Sequence, residues 1–282
     1  MRKKKERKYI RTEKKRREKN MKLYWDRTTK EDSSWPNLEE LWGAEYTYFI
    51  TTNSAIHWEK EKPDPLDGWR QNTKSNWWFN PGDIESLARA NLAVKMCYRW
   101  GGKGSKLMVD IEHPYSPADI DSLKELEPWY DQARKTVKFG GNDIEIWSYI
   151  PTSFPYHSIP DRTQRERYRQ MNSNVLDTYG QHLDGLIFSE YMSPDLNGNE
   201  ERAISVWAHH LEAMIVEMNR IPIKTMVYFA ITHRGDNGFI PIEAARIAGS
   251  IFGSNDIDVC VFDWQGKYNE EIFGAFAKEY LD

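Results

Sequence analysis

Beyond residue 105 the chain alternates between short β-branched or apolar runs and longer stretches with helical spacing. Strands are expected at 106–112, 144–150, 186–190, 224–231 and 257–263. Helices are expected at about 116–137, 162–182, 199–220, 241–252 and 269–281. Alternating strands and helices imply a parallel sheet, because each helix carries the chain back to the edge where the next strand begins. Ahead of residue 105, strands fit 22–26 and 45–52. The long polar stretch 53–81, with Trp58, Trp69, Trp77 and Trp78, hides a further short strand at 76–79. A short helix at 35–42 has Ser34 as its cap and Gly43 as its stop. Another begins near Pro81-Gly-Asp83, with Ile84, Leu87, Ala88, Leu92 and Met96 as its apolar stripe. Counted this way, 106–112 is the fourth of eight strands, and 282 residues suit an α/β chain folded as one (β/α)8 barrel. A doubly wound open sheet is the alternative. It is weakened because no GxGxxG or GxxxxGK[ST] loop follows any strand.

Charge divides the chain unevenly. Residues 1–20 hold 12 Lys/Arg and 3 Glu, a local +9 that leaves −13 on the rest of a chain of net −4. They read as a basic tail, with 21–282 as a single barrel domain. So acidic a body argues against a nucleic-acid partner, and the tail is the only candidate for one. Cys97 and Cys260 form no disulfide framework and no metal-ligand spacing. No apolar run is long enough to span a membrane, and no secretory apolar segment follows the first charges. Cytoplasmic residence, or export by another route, is therefore expected. Oligomeric state is open.

The chemistry gathers where strands end. In Lys106-Leu-Met-Val-Asp110-Ile-Glu112-His-Pro114, Asp110 and Glu112 stand two apart and so share one face of a strand. Catalytic groups of such barrels lie at the C-terminal strand ends. Other expected strands also end in polar residues: Asp26, Tyr149, Glu190, Tyr228 and Asp263. Paired carboxylates are the usual equipment for cleaving glycosidic bonds. One must stay protonated near neutral pH, and burial beside another anion does this. Glu112 beside Asp110 fits that role. Glu190, followed by Tyr191, is a candidate nucleophile or base opposite it. Aromatic rings suit sugars, and Trp264 after Asp263 and the Trp-rich stretch 58–78 are candidates. Trp147 and Trp207 read as core. The plain alternatives are a solvated acid pair at a strand edge and a Glu190 paired with Arg99 or Arg234.

With these residues in view, the chain resembles the (β/α)8 glycoside hydrolases of hyaluronidase, chitinase and family-25 lysozyme type. The hyaluronidase likeness runs furthest, over about 105–265 by strand order. It rests on the Asp-x-Glu strand, Ile146-Trp-Ser-Tyr149-Ile-Pro151, Val227-Tyr228, and Ala244 to Trp264. The resemblance implies that Glu112 protonates the glycosidic oxygen and that Asp110 stabilises a neighbouring group, such as a substrate acetamido. It also implies that Tyr149 and Tyr228 line the sugar site; Tyr191, Asp263 and Trp264 are further candidate sugar contacts, and no metal or cofactor is expected. The chain departs from that family at His113-Pro114-Tyr115, where the family carries another acid and an Arg, and it lacks the family's disulfides. Two other readings stay open. Asp110, Glu112, Glu190 and Asp263 could hold Mg²⁺ in a lyase, isomerase or phosphodiesterase, with His113 or His233 as base. Alternatively, the barrel binds carbohydrate without cleaving it.

Overall fold

The computed structural model describes residues 22–26, 38–111, 114–149, 161–190, 192, 199–232, 238–262 and 268–282. Among them, seven strands form a closed barrel: β1 (Leu23–Asp26), β2 (Glu45–Thr51), β6 (Lys106–Asp110), β7 (Glu145–Tyr149), β8 (Gly185–Glu190), β9 (Lys224–Ala230) and β10 (Asp258–Phe262). Their order is β1-β10-β9-β8-β7-β6-β2. The remaining strands, β3 (His57–Glu59), β4 (Arg70–Gln71) and β5 (Trp78–Asn80), make a separate antiparallel sheet in the order β3-β5-β4. The helices are α1 (Leu38–Trp42), α2 (Thr52–Ala55), α3 (Ile84–Gly101), α4 (Ile120–Gly140), α5 (Arg162–Tyr179), α6 (Glu200–Met218), α7 (Ile242–Ser254) and α8 (Glu270–Leu281).

The barrel class and the strand–helix alternation are those expected from sequence. Four details differ. The barrel strand Lys106–Asp110 is the third in chain order, not the fourth. The hidden strand near 76–79 exists as Trp78–Asn80, but it pairs antiparallel with β3 and β4 and adds nothing to the barrel. Helix α4 begins at Ile120 and not at Ser116-Pro117, because Asp119 is its cap, accepting from the Asp121 and Ser122 amides. The apolar stripe expected on α3 is also rotated. Ile84 is 88% exposed and Leu92 57%, while Ser86, Ala90, Ala93, Val94 and Cys97 are buried. Small side chains let that face lie close to the sheet, which a row of leucines would prevent.

The chain divides into two compact units. The first takes in the described parts of 1–46, 153–165 and 189–282. In its sheet β1 pairs with β10 and β10 with β9. Phe229 faces the helices and meets Trp207, Phe252 and Phe276 at ring separations of 6.1, 5.9 and 4.9 Å. Helices α7 and α8 touch backbone to backbone. A Cβ on Gly249 would stand 2.3 Å from the Phe276 carbonyl oxygen, and one on Gly253 2.6 Å from that of Tyr280. Tyr280 in turn donates to the Lys22 and Ile257 carbonyls, joining α8 to the segments that enter β1 and β10.

The second unit spans 47–152 and 166–188 and holds β6, β7 and nearly all of β2 and β8. Its register sorts the side chains. Val109 lies opposite Ser148, and Ser148 shares a 2.8 Å hydrogen bond with Tyr130 of α4. That row therefore faces the helices, and the alternate row faces the enclosed side. Along the enclosed side, Thr47, Lys106 and Glu145 form the first layer and Phe49, Met108 and Trp147 the second. Gly185 stands opposite Trp147, and a Cβ there would come within 2.4 Å of the indole. The third layer is Thr51, Asp110, Tyr149 and Ile187.

Candidate active site

Asp110 is the last residue of β6 and is partly exposed, at the end of a strand otherwise buried. It lies on the enclosed face, in register with Thr51 on one side and Tyr149 on the other. It does not point into the helix layer. Its carbonyl accepts a 3.3 Å hydrogen bond from the Thr52 hydroxyl, which fixes the strand end against the start of α2. Tyr149 closes β7 and is 5% exposed, its ring edge-on to Phe49 at 6.5 Å. An acid and a phenol thus stand side by side on adjacent strand ends, the strand expected over 106–112 ending at Asp110.

On the opposite face, behind Asp110, Tyr130 stacks on Tyr179 at 4.4 Å and is bonded to Ser148. Burial pushes the phenol pKa of Tyr130 well up, and the Asp110 carboxylate adds to the shift. Burial likewise raises Tyr179. The Tyr130 hydroxyl ties the Ser148 side chain of β7 to α4 on the helix-facing side, away from the enclosed face of Asp110.

Tyr228 is on the enclosed face of the first unit, since the neighbouring Phe229 faces the helices. It sits two residues before the end of β9, 4% exposed, with one ring face stacked on Phe262 at 3.7 Å. Glu190 ends β8, as expected, but its side chain lies outside the described set. Glu112, Tyr191, Asp263 and Trp264 also lie outside the described residues, as do His113 and His233 of the magnesium alternative.

Sequence reading passed over two residues near the segment that follows Glu112. Tyr115 is 4% exposed, and its hydroxyl has no hydrogen-bond partner among the described residues. Burial raises its pKa well above the usual phenol range, with the Glu125 carboxylate contributing. Arg70 of β4 grips the start of α4, donating through Nε and Nη2 to Glu125 at 3.0 and 2.8 Å and through Nη1 to Asp119 at 3.2 Å. The only sequence signal for Arg70 was its place in a long, charged, Trp-rich connection. Its partners lie 49 and 55 residues away and leave no local pattern.

No protein-family model matches the chain, and no curated protein sequence does. Solved structures do. Bee venom hyaluronidase in complex with a hyaluronic acid tetramer matches at a TM-score of 0.52 and 9% identity, over 86% of this chain and 90% of that one. A monoclinic crystal form of bee venom hyaluronidase matches at 0.50 and 9%, with the same coverage of 86% and 90%. A GH5-4 broad-specificity endoglucanase from Clostridium cellulovorans matches at 0.49 and 10%, over 93% and 95%, a likeness too slight to argue from. The chain therefore shares the barrel fold of glycoside hydrolases. The hyaluronidase resemblance noted from sequence holds at the level of fold. The chitinase and lysozyme likenesses rest on sequence motifs alone.

Proposed function

We propose that the chain is a glycoside hydrolase acting on a polysaccharide or oligosaccharide, with amino-sugar-containing chains among the candidate substrates. Glu112 is the general acid that protonates the leaving glycosidic oxygen, and Asp110 is the carboxylate that stabilises its neighbour on the sugar. Glu190 is the candidate nucleophile or base. Tyr149, Tyr191, Tyr228, Asp263 and Trp264 are the candidate sugar contacts. The observation that carries most weight is the placement of Asp110. It is an acid at a strand end, on the enclosed face, beside Tyr149. The fold shared with a hyaluronidase crystallised with its hyaluronic acid tetramer agrees with that.

In this mechanism the Asp110 and Glu112 carboxyls oppose each other's ionisation, and the proton retained on one is the proton the leaving group needs. Separation from the Glu190 carboxyl decides the stereochemistry: about 5–5.5 Å for retention, about 6.5–9.5 Å for inversion.

The test is reducing-end release from hyaluronan, chitooligosaccharides and β-glucans by the wild-type chain, Glu112→Gln and Asp110→Asn. Loss of the general acid is expected to lower kcat by about 10²–10⁴-fold. The anomer first formed, read by NMR, assigns retention or inversion. Hydrolysis that survives Glu112→Gln at full rate sinks the assignment. Activity abolished by EDTA and restored by Mg²⁺ turns the reading to the metal-dependent alternative.

A further inference from the structure

The connection after β2 carries more than it needs to reach α3. It contains α2 and the three-stranded sheet, and its contacts hold that sheet to helix N-termini. The indole Nε1 of Trp129 in α4 donates to the Ala55 carbonyl at 2.8 Å. Arg89 of α3 donates to the Asn53 and Ile56 carbonyls. His57 of β3 bonds through its ring to Asp83, the residue that caps α3. Arg70 of β4 grips the first turns of α4. In a strand–helix repeat the helix N-termini lie on the side where strands end. The inserted sheet is therefore fixed beside the strand ends of β2 and β6, where Asp110 stands and from which the Glu112 segment departs.

The sheet has a defined inward face. Trp58, Phe79 and Arg70 lie opposite one another across β3, β5 and β4, so they share a side. Phe79 is buried and Arg70 reaches α4, which marks that side as the one turned toward the unit. On it, Trp77 stacks against Trp58 with ring centroids 4.2 Å apart and planes 11° from parallel. Both rings are half-buried, so the pair is covered in part only. Around it are the amide of Asn72, which ties down the turn to β5, and the exposed Ser75, whose hydroxyl accepts from the Trp77 amide.

We propose that the Trp58–Trp77 pair is a glycan-binding platform, a subsite that holds a sugar ring of a polysaccharide whose cleaved bond lies at the Asp110 strand end. The ligand class rests on the glycoside hydrolase reading; the location rests on the contacts above. The electron-rich face of an indole attracts the polarised CH groups on the flat side of a pyranose. Stacking of one indole on the other holds the platform rigid, so little order has to be imposed when sugar binds. Nearby amides and hydroxyls supply partners for the ring's hydroxyl edge. The face serves polymers more than short substrates, because a chain must extend from the reacting bond to reach it.

The experiment is affinity electrophoresis of the full chain through gels containing hyaluronan, glycol chitin, xyloglucan or carboxymethyl cellulose. Wild type, Trp77→Ala and Trp77→Tyr are run side by side. Trp77 lies just outside β5, so its removal spares the strand pairing, and the tyrosine variant controls for folding. Wild type is expected to be retarded by at least one polymer. Trp77→Ala should weaken that affinity about tenfold or more, and Trp77→Tyr should keep most of it. Equal retardation of wild type and Trp77→Ala, or no retardation of wild type by any polymer, overturns the platform. Hydrolysis of a short aryl glycoside is followed in parallel. If Trp77→Ala loses polymer binding while no variant hydrolyses anything, the platform stands and the hydrolase falls. If hydrolysis is present and polymer binding is unchanged by Trp77→Ala, the hydrolase stands and the platform falls.

Discussion

The two compact units differ in how far they bury charge on the enclosed faces of their strands. Among the described residues, the unit with β1, β9 and β10 presents Tyr24, Met226, Tyr228, Cys260 and Phe262 there, with Lys224 exposed and Asp258 half-buried at the strand starts, and its helix-facing side closes on an aromatic cluster around Phe229. The unit with β6 and β7 presents Lys106, Glu145 and Asp110 on the same kind of face. Lys106 pairs with Glu145, the indole of Trp147 donates to the same carboxylate at 3.0 Å, and the Lys106 ammonium stands 5.0 Å from the Trp147 ring. Buried charge survives only where partners replace water. The first unit is therefore held mainly by aromatic packing and carries Tyr228 and Glu190 of the candidate site, while the second keeps a buried ion pair on the strand that carries Asp110.

The aromatic side of that comparison breaks most readily at Phe229. Its ring touches three other aromatic rings and is wholly buried. Phe229→Ala should cost about 3–5 kcal/mol, measured by urea unfolding, because such a cluster cannot collapse into the gap. A cost below about 1 kcal/mol would mean that the cluster is not the support it is taken for.

The ionic side should respond less, and in a different pattern. Lys106→Met leaves the Glu145 carboxylate without its cation, but that side chain is 24% exposed and water can reach it. A loss of about 1–3 kcal/mol is expected. Adding Glu145→Gln should recover part of it, since the uncompensated charge is then gone. A double variant that loses the sum of both single effects would show that the two groups act independently. Smaller again is Arg70→Ala. Its side chain is 30% exposed and its pairs lie near the surface, so about 1 kcal/mol is at stake. The effect should be local, appearing as faster amide exchange across 57–80 with the barrel strands unchanged. Uniform loss of protection throughout the second unit would contradict an independently anchored sheet.

Which of these features could be read in advance follows from the range of the interactions. The alternation beyond residue 105 rests on local periodicity, and it located β6 to β10 and the helices between them to within a few residues. Asp110 beside Tyr149 could be foreseen because parallel strands that end in step bring their last residues together. Stretch 53–81 resisted, because its strands are only two or three residues long and their pairing is set by partners far along the chain. The buried stripe of α3 was misjudged for a related reason. Hydrophobicity pointed to Ile84 and Leu92, while the close approach of neighbouring elements selected Ala90, Ala93 and Cys97. The antiphase of Ser148 and Tyr149, one bonded to a helix and the other turned to the enclosed face, needed the register before it could be seen.

One consequence of burial is silent at neutral pH. Burial pushes the Cys97 thiol up to about 12 from its ordinary 9.0. It also raises Tyr115, Tyr130 and Tyr179 above the usual phenol range. All four belong to the unit that carries Asp110, and the other unit buries Cys260, Tyr24, Tyr228 and Tyr280 as deeply, with Tyr268 raised by burial too. Each group holds its proton more tightly folded than unfolded. Below about pH 9 both states are protonated and the contribution is fully present. As pH rises past the unfolded values, the unfolded chain ionises first and stability drains away until the folded groups ionise too. Thermal unfolding at about pH 7.5, 9, 10 and 11 should therefore show a constant midpoint up to about 9 and a progressive fall beyond it. Cys97→Ala should lower the neutral-pH midpoint slightly, through the small cavity it leaves, yet flatten the decline between about 9 and 11. If Cys97→Ala declines as steeply as wild type, the buried thiol does not set the alkaline limit.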